Sequence, residues 1–438
     1  VRYDSGVVGA GTAGARRGGT LLALLGLAAL VLWLAVGIAP TAEVRLNDFE
    51  GYWGAARVVL SGDTRDLYAP ERKWFTNLPV VAWALAPLGR LDYEAAWRLF
   101  WGLQAACFAL SFGVALVLVA RHFPPLTARR ALVVGAVLTS FAPVLERSLA
   151  QGQSTPLVVL LLALFHLLHR EGWRRTAGAL LGVACLVKIP PLVLVVGLGL
   201  RRRLEAALAA TAVVAAGVAV SALAFGPELL GQYADRVIFD NLGGAQAAFN
   251  NQSLDGAFMR VLSTKSLVDW DTTARPLAVS AALLASLLGM GILLWLRGGR
   301  TLVWPAAPPR DDDPGRGSLE LELALGAALM LLFLPVIWIH YYLLLAVPLA
   351  VLPAWWSARR IPIRWATAIL LVLGLWLASG SEVRGNHYYG RHRDEWSFRL
   401  RQNAQPLGAV LIVLGLSAPL AEIARRERGR HGASEERR

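Results

Sequence analysis

The stretch Ala177-Gly178-Ala179-Leu180-Leu181-Gly182-Val183-Ala184-Cys185-Leu186-Val187-Lys188-Ile189-Pro190-Pro191-Leu192-Val193-Leu194-Val195-Val196-Gly197-Leu198-Gly199-Leu200 carries one charge, Lys188, set beside two consecutive prolines. Arg174 and Arg175 precede it, and Arg201, Arg202 and Arg203 follow it. Each apolar piece holds about 12 residues, whereas a spanning helix needs roughly 20. Proline cannot continue the helical hydrogen-bond ladder, and interrupted backbone survives at membrane depth only where protein or water covers it. Region 176–200 therefore reads as a broken helical hairpin that returns to the side it left. An ammonium inside such a hairpin costs a few kcal/mol unless it is paired or reaches water. Lys188 thus needs a partner: a carbonyl within reach, an anionic lipid group, or a carboxylate that it holds in place.

The rest of the chain agrees. Over 438 residues the hydrophobic content is 56% and the mean hydropathy +0.51, too apolar for an ordinary soluble domain. Spanning segments are expected near 19–40, 95–120, 131–149, 154–169, 204–226, 273–297, 319–339, 341–358, 364–381 and 405–424. The fold class is all-α and polytopic, about ten full spans plus the hairpin. A single membrane domain is expected over 19–424, between a tail at 1–18 and a basic tail at 425–438. The first apolar segment, Thr20 to Ala39, is longer than the core of a secretory signal and reads as an uncleaved helix. Segment 78–90 is apolar, but it is short and holds two prolines, so it reads as a juxtamembrane helix of the first outer loop.

The net charge of +13 does not indicate nucleic acid, because the basic residues form short clusters between apolar runs and no continuous stripe. With the N-terminus inside, nearly all of that charge falls on segments that stay inside. Both termini are then expected in the cytoplasm, and the long segments 41–94, 227–272 and 382–404 outside. Cys107 and Cys185 lie in apolar runs without CxxC or Cys/His spacing, so neither a disulfide framework nor a zinc site is indicated. The wealth of Ala, Leu, Gly and Arg beside very little Lys suggests a bacterium with a GC-rich genome.

Four polar clusters fall on the expected outer face. Asp48 and Glu50, in Asn47-Asp48-Phe49-Glu50-Gly51-Tyr52-Trp53, follow the first apolar run by about nine residues. Arg147 with Gln151-Gly152-Gln153 makes a turn between two helices. Asn251-Gln252 and Arg260 lie in the second outer loop, and His340-Tyr341-Tyr342 caps a further helix. Amides suit hydroxyl-rich ligands, since they both donate and accept. Each cluster also has an ordinary reading, as solvated loop acids, amides that satisfy loop backbone, or an interfacial aromatic belt.

Asp48-Phe49, Tyr52-Trp53, Gly62, Leu67-Tyr68, Leu78-Pro79, Pro87-Leu88, Gln151-Gly152-Gln153, Ala177-Gly178 through Gly182 to Lys188-Ile189-Pro190-Pro191, Asn251-Gln252-Ser253-Leu254 and His340-Tyr341-Tyr342 occur in an order that resembles glycosyltransferase family 87, the DUF2029 proteins of bacteria. The likeness covers roughly 42–350. Where that family usually has Tyr-Pro-Pro, this chain has Asn77-Leu78-Pro79-Val80. The resemblance implies a GT-C type membrane enzyme that moves a sugar, usually mannose, from a polyprenyl-phosphate carrier to a glycolipid or glycan outside the bacterial cytoplasmic membrane. It makes Asp48 the general base. The donor is then a lipid-linked co-substrate, with no separate cofactor.

A polyprenyl phosphate leaves as a monoester with a second pKa near 6, so cations suffice and no strong acid is needed. An inverting displacement needs one base on the acceptor hydroxyl. Lys188, Arg260 and His340 are candidates for the donor phosphate, with Arg147 behind them. Glu50, Gln151, Gln153, Asn251, Gln252, Tyr341 and Tyr342 are candidates for the sugar or acceptor. No acidic pair suited to a divalent ion occurs in the outer loops, so no metal is expected. An arabinofuranosyltransferase, a lipid or solute transporter with broken helices, and a glycolipid-binding scaffold are the competing readings.

Overall fold

The computed structural model describes residues 48–435 apart from 66, 69–74, 124, 241–243, 270, 299–317, 360–362 and 381–394. The expected span 19–40, the tail 1–18, most of the loop after residue 298 and most of segment 382–404 lie outside the described residues. What is described is mostly helical, with a short antiparallel ribbon in which Gly244–Ala245 pairs with Thr273–Ala274 and a bridge between Asn251 and Trp338.

The helices that build the site and its frame are α1 (Asp48–Ser61), α2 (Tyr93–His122), α3 (Ala128–Ser140), α4 (Ala142–Ala150), α5 (Thr155–Arg170), α6 (Arg174–Val187), α7 (Leu192–Leu200), α8 (Leu204–Phe225), α9 (Leu254–Leu262), α10 (Leu277–Gly298), α11 (Leu319–Phe333), α12 (Ala346–Arg359), α13 (Trp365–Ser379) and α14 (Ala404–Glu435). Among the described residues, five helical stretches are long and apolar enough to cross a membrane, and a sixth if the bent pair α3–α4 counts as one. The protein is a multi-pass membrane protein.

Departures from the expected spans have local causes. Segment 131–149 is a helix bent by 43° between α3 and α4, with Pro143 in the first turn after the bend, where its missing N–H costs nothing. The expected span 319–339 stops at Phe333, because Pro335 holds Leu334 extended at φ −91°, ψ 142°. The next helix begins as a 3-10 turn over Ile339–Leu345 and then becomes α12. Helices α5, α11 and α13 have 16, 15 and 15 residues, less than a full crossing. α10 exposes apolar side chains along most of its length, Leu284, Leu288, Ile292 and Trp295 among them, as a lipid-facing helix does.

The broken hairpin is present. α6 and α7 flank Lys188-Ile189-Pro190-Pro191, and Lys188 itself is extended. α6 runs parallel to α8, with Gly178 against Ala206 and Gly182 against Ala210. A Cβ on Gly178 would stand 2.2 Å from the Ala206 carbonyl oxygen, so glycine is what lets these backbones touch. Arg174 and Arg175 lie 3.8 Å from Glu205 at the start of α8. Arg201 and Arg203, just before α8, pair with Glu322 at 2.8 and 3.0 Å. Both arginine flanks therefore sit at one end of the bundle, and the Lys188 tip points to the other. At the flank end Glu320, fully buried, binds Arg170 Nε at 2.7 Å and His166 Nε2 at 3.1 Å, which ties α5 to α11.

α1 docks on the start of α2 through aromatic packing. The ring of Phe49 lies 5.4 Å from Trp97 and 5.1 Å from Phe100, centroid to centroid. That packing fixes Asp48, one residue away.

Candidate active site

Asp48 opens α1, and its first-turn position favours a negative charge. Tyr52 is one helical turn on, so both share a face. Glu50 is about 200° further round the helix and is exposed, so it does not join the cluster around Asp48. Facing that shared face is the turn after α4. Gly152 there adopts φ +68°, and Gln153 N–H donates to Ser148 O at 2.9 Å while Gly152 N–H donates to Leu149 O at 3.0 Å. The turn closes the helix and points both glutamines inward. A Cβ on Gly152 would lie 2.5 Å from the Phe49 Cβ and 2.6 Å from Trp97, so glycine serves both the turn and the docking of α1.

Gln153 links the two charges of the site. Its Nε2 donates to Asp48 Oδ2 at 2.7 Å, and its Oε1 accepts from Lys188 Nζ at 2.8 Å. The Tyr52 hydroxyl lies 3.5 Å from the same Oε1 and 3.2 Å from Ser154 Oγ. Lys188 Nζ also stands 4.4 Å above the Tyr341 ring, a cation–π contact. The lysine's partners are thus an amide oxygen and an aromatic face, with Asp48 at one remove. Asn77 donates from its side chain to the Val187 carbonyl at the end of α6, and Tyr68 donates to the Asn77 carbonyl. The residue that departs from the usual Tyr-Pro-Pro therefore pins the hairpin tip.

His340 Nδ1 meets Gln151 Oε1 at 3.0 Å. That oxygen accepts, so Nδ1 carries the proton. Nε2 is buried with no hydrogen-bond partner among the described residues. The His340 and Tyr341 rings make an edge contact at 4.8 Å. Arg147, buried, lies over the Phe249 ring at 5.7 Å, and its charge reaches Asp48.

Asp48 is half-buried: protein crowds it, yet part of its surface stays open. Burial pushes its carboxyl above the ordinary value, while the Gln153 hydrogen bond and the charges of Lys188 and Arg147 pull it back. Burial raises the Tyr52 phenol to about 12, so it stays a neutral hydroxyl.

The remaining candidates form a scaffold beside this cluster. Asn251 is fully buried. Its side-chain oxygen accepts from Ser253 N–H at 3.3 Å and Ile337 N–H at 3.1 Å, and its nitrogen donates to Gln246 O at 3.1 Å. Gln252 donates to Phe249 O and Gln402 O at 2.6 and 2.9 Å. Tyr342 donates to Gln252 O at 2.9 Å. Arg260, expected at the donor phosphate, instead donates to Asn403 Oδ1 at 2.7 Å, Ala248 O at 3.0 Å and Asn251 O at 2.6 Å. Arg260 Nη2 and Gln252 Oε1 keep no hydrogen-bond partner among the described residues, but both atoms are buried. These four side chains hold the segment 246–260 against the segment before α12 and against 402–403, because buried backbone carbonyls and N–H groups there demand partners.

Residues 75–307, more than half of the chain, match the model of glycosyltransferase family 87. The chain belongs to this family. Within family 87 terms, the matched part carries Gln151, Gln153 and Lys188, whereas Asp48 and His340 to Tyr342 lie outside it and reach the site through the fold. A polyprenol-phosphate-mannose-dependent alpha-(1-2)-phosphatidylinositol pentamannoside mannosyltransferase of Mycobacterium tuberculosis (strain CDC 1551 / Oshkosh) is 32% identical over 227 residues. That match takes in 51% of this family 87 chain and 47% of the relative, so the chain spans about half the relative's length. The crystal structure of ArnT from Cupriavidus metallidurans bound to undecaprenyl phosphate aligns over 92% of this chain and 78% of its own, at 18% identity and a TM-score of 0.42. At that level the likeness decides nothing here.

Tyr52, Ser154 and Asn77 complete the site and were not among the sequence candidates. Tyr52 had a signal, its i, i+4 spacing from Asp48. Ser154 and Asn77 had none, since one serine beside a turn and one loop amide are ordinary.

Proposed function

We propose that this family 87 chain transfers a sugar, mannose, from a polyprenyl-phosphate carrier to a hydroxyl of a glycolipid or glycan, with inversion at the anomeric carbon and Asp48 as general base. The observation that carries the reading is the Asp48–Gln153–Lys188 chain, which sets a base and a cation one amide apart, with part of the Asp48 surface open. The name of the mycobacterial relative supports mannose and the polyprenyl-phosphate donor.

The acceptor oxygen attacks the anomeric carbon, its proton passes to Asp48, and the bond from that carbon to the phosphate oxygen breaks with its electron pair on the phosphate. A carboxylate is a competent acceptor because the hydroxyl acidifies as the transition state becomes oxocarbenium-like. Lys188 holds the phosphate as its charge grows. His340 was expected to do the same. With its proton on Nδ1 and held by Gln151, it offers a lone pair at Nε2, which suits a sugar hydroxyl. No step uses a metal. The reaction is assigned to the non-cytoplasmic face within a GT-C type fold, which fits the positive-inside balance of the loops.

The test is product formation. Purified protein in nanodiscs, given synthetic mannosyl-phosphoryl-polyprenol and a membrane lipid extract, should yield a new mannolipid with inverted linkage. Asp48→Asn should still bind the donor and give no product. Turnover in that variant removes Asp48 from the mechanism, and transfer from the arabinofuranosyl donor alone replaces mannose. Solute uptake without a covalent product would point to a transporter.

A further inference from the structure

At the end of the bundle away from Asp48, α3 and α12 stand apart around a cavity of about 510 Å³. The gap follows from the sequence: α12 turns Ala350, Pro353 and Ala354 toward it, and these are too small to fill the space against Val133 and Val134. Trp356 forms part of the wall, and Arg129 and Arg130 stand at the mouth. Arg130 is already committed, donating to Pro125 O at 2.9 Å and Ser357 Oγ at 2.8 Å, so it ties the two walls at their rim. Arg129 is exposed and makes no hydrogen bond or ion pair among the described residues. Among the described residues no carboxylate lines the cavity.

Position separates this cavity from the reaction site. From Arg129 the chain climbs α3 and α4 to Gln151, and at 1.5 Å per residue that is about 30 Å. His340 and Tyr341 likewise sit at the far end of the helix that supplies the other wall. The cavity therefore opens toward the opposite leaflet. An apolar space of this kind gives water few partners, and its volume lies in the range of small-molecule sites, ~300–1,000 Å³. A guanidinium at its mouth, with no acid among the described lining residues, selects for phosphate and net negative charge.

We propose that this groove binds one anionic glycerophospholipid from the leaflet opposite Asp48, with an acyl chain between α3 and α12 and the headgroup phosphate on Arg129. The test uses the full chain purified in detergent and exchanged into nanodiscs of either palmitoyl-oleoyl phosphatidylglycerol or the matching phosphatidylcholine. Native mass spectrometry on protein released from each should show one phosphatidylglycerol retained and phosphatidylcholine lost. Arg129→Gln, a surface change that leaves the melting temperature alone, should cut retention about fivefold or more, as loss of one headgroup contact predicts. Brominated phosphatidylglycerol should quench a fluorescence component that Trp356→Phe removes, and Ala354→Phe, which fills the groove, should abolish both signals. Equal retention of the two lipids, unaltered retention in Arg129→Gln, or a quenched fraction that is the same in Trp356→Phe as in the unaltered chain would each overturn the assignment. Should Ala354→Phe fail to fold, the Arg129 and Trp356 variants decide.

Discussion

Replacing Gln153 by Met keeps the length of the side chain and removes both polar atoms that join Asp48 to Lys188. The bond lost to Asp48, 2.7 Å long, is to a charged group, for which about 1.5–3 kcal/mol is usual. At 1.36 kcal/mol per tenfold in rate, kcat/KM should fall about 10- to 150-fold. The pH profile separates this from simple damage. As the proposed base Asp48 works deprotonated, so activity is expected above its pKa and is lost as pH falls through it. Burial raises that pKa and the Gln153 bond lowers it. Without the bond, the acid limb must move to higher pH, and part of the activity should return in alkaline buffer. The assay is transfer of radiolabelled mannose in nanodiscs over a pH series, with thermal unfolding as the check on folding. An acid limb that stays in place or moves to lower pH would refute the role given to Gln153, whatever the loss of rate.

Asp48→Asn should raise the melting temperature at neutral pH. A carboxyl whose folded pKa lies above its unfolded value of 3.8 favours folding most below that value and loses the benefit as pH rises through the folded pKa. The gain over wild type should vanish in acid, and an equal gain at every pH would contradict it. Gly152→Ala should be poorly tolerated, since the left-handed φ costs about 1–2 kcal/mol and the new methyl meets Phe49. Thermal unfolding should show the loss, and kcat/KM should drop with it as α1 is pushed from Gln153. Arg170→Ala leaves buried Glu320 with His166 but without its guanidinium, at a cost of up to about 3–5 kcal/mol, whereas Arg170→Met with Glu320→Leu should restore much of it. Melting temperatures of the single and double variants settle this. Arg260→Lys should lower stability without raising the KM for donor, while Lys188→Gln should do the reverse, because only Lys188 faces the proposed phosphate.

Hydropathy and proline placement already located most of the described helices and the hairpin at 176–200. Both depend on properties the chain carries locally: enough apolar length to cross lipid, and rings that cannot join a helix. The turn at Gln151-Gly152-Gln153 was legible for the same reason. Local rules also explain Glu50, since two residues along a helix lead to its opposite face. The tertiary structure alone decided which polar clusters meet. Gln153 joins Asp48 from 105 positions away and Lys188 from 35, while Asn251, Gln252, Arg260 and Tyr342 turn to nearby carbonyls and N–H groups. An amide or guanidinium has the same donors whether it serves a sugar or buried backbone. What it serves depends on which unpaired groups the packed helices leave within 3 Å of it, and no spacing along the chain records that.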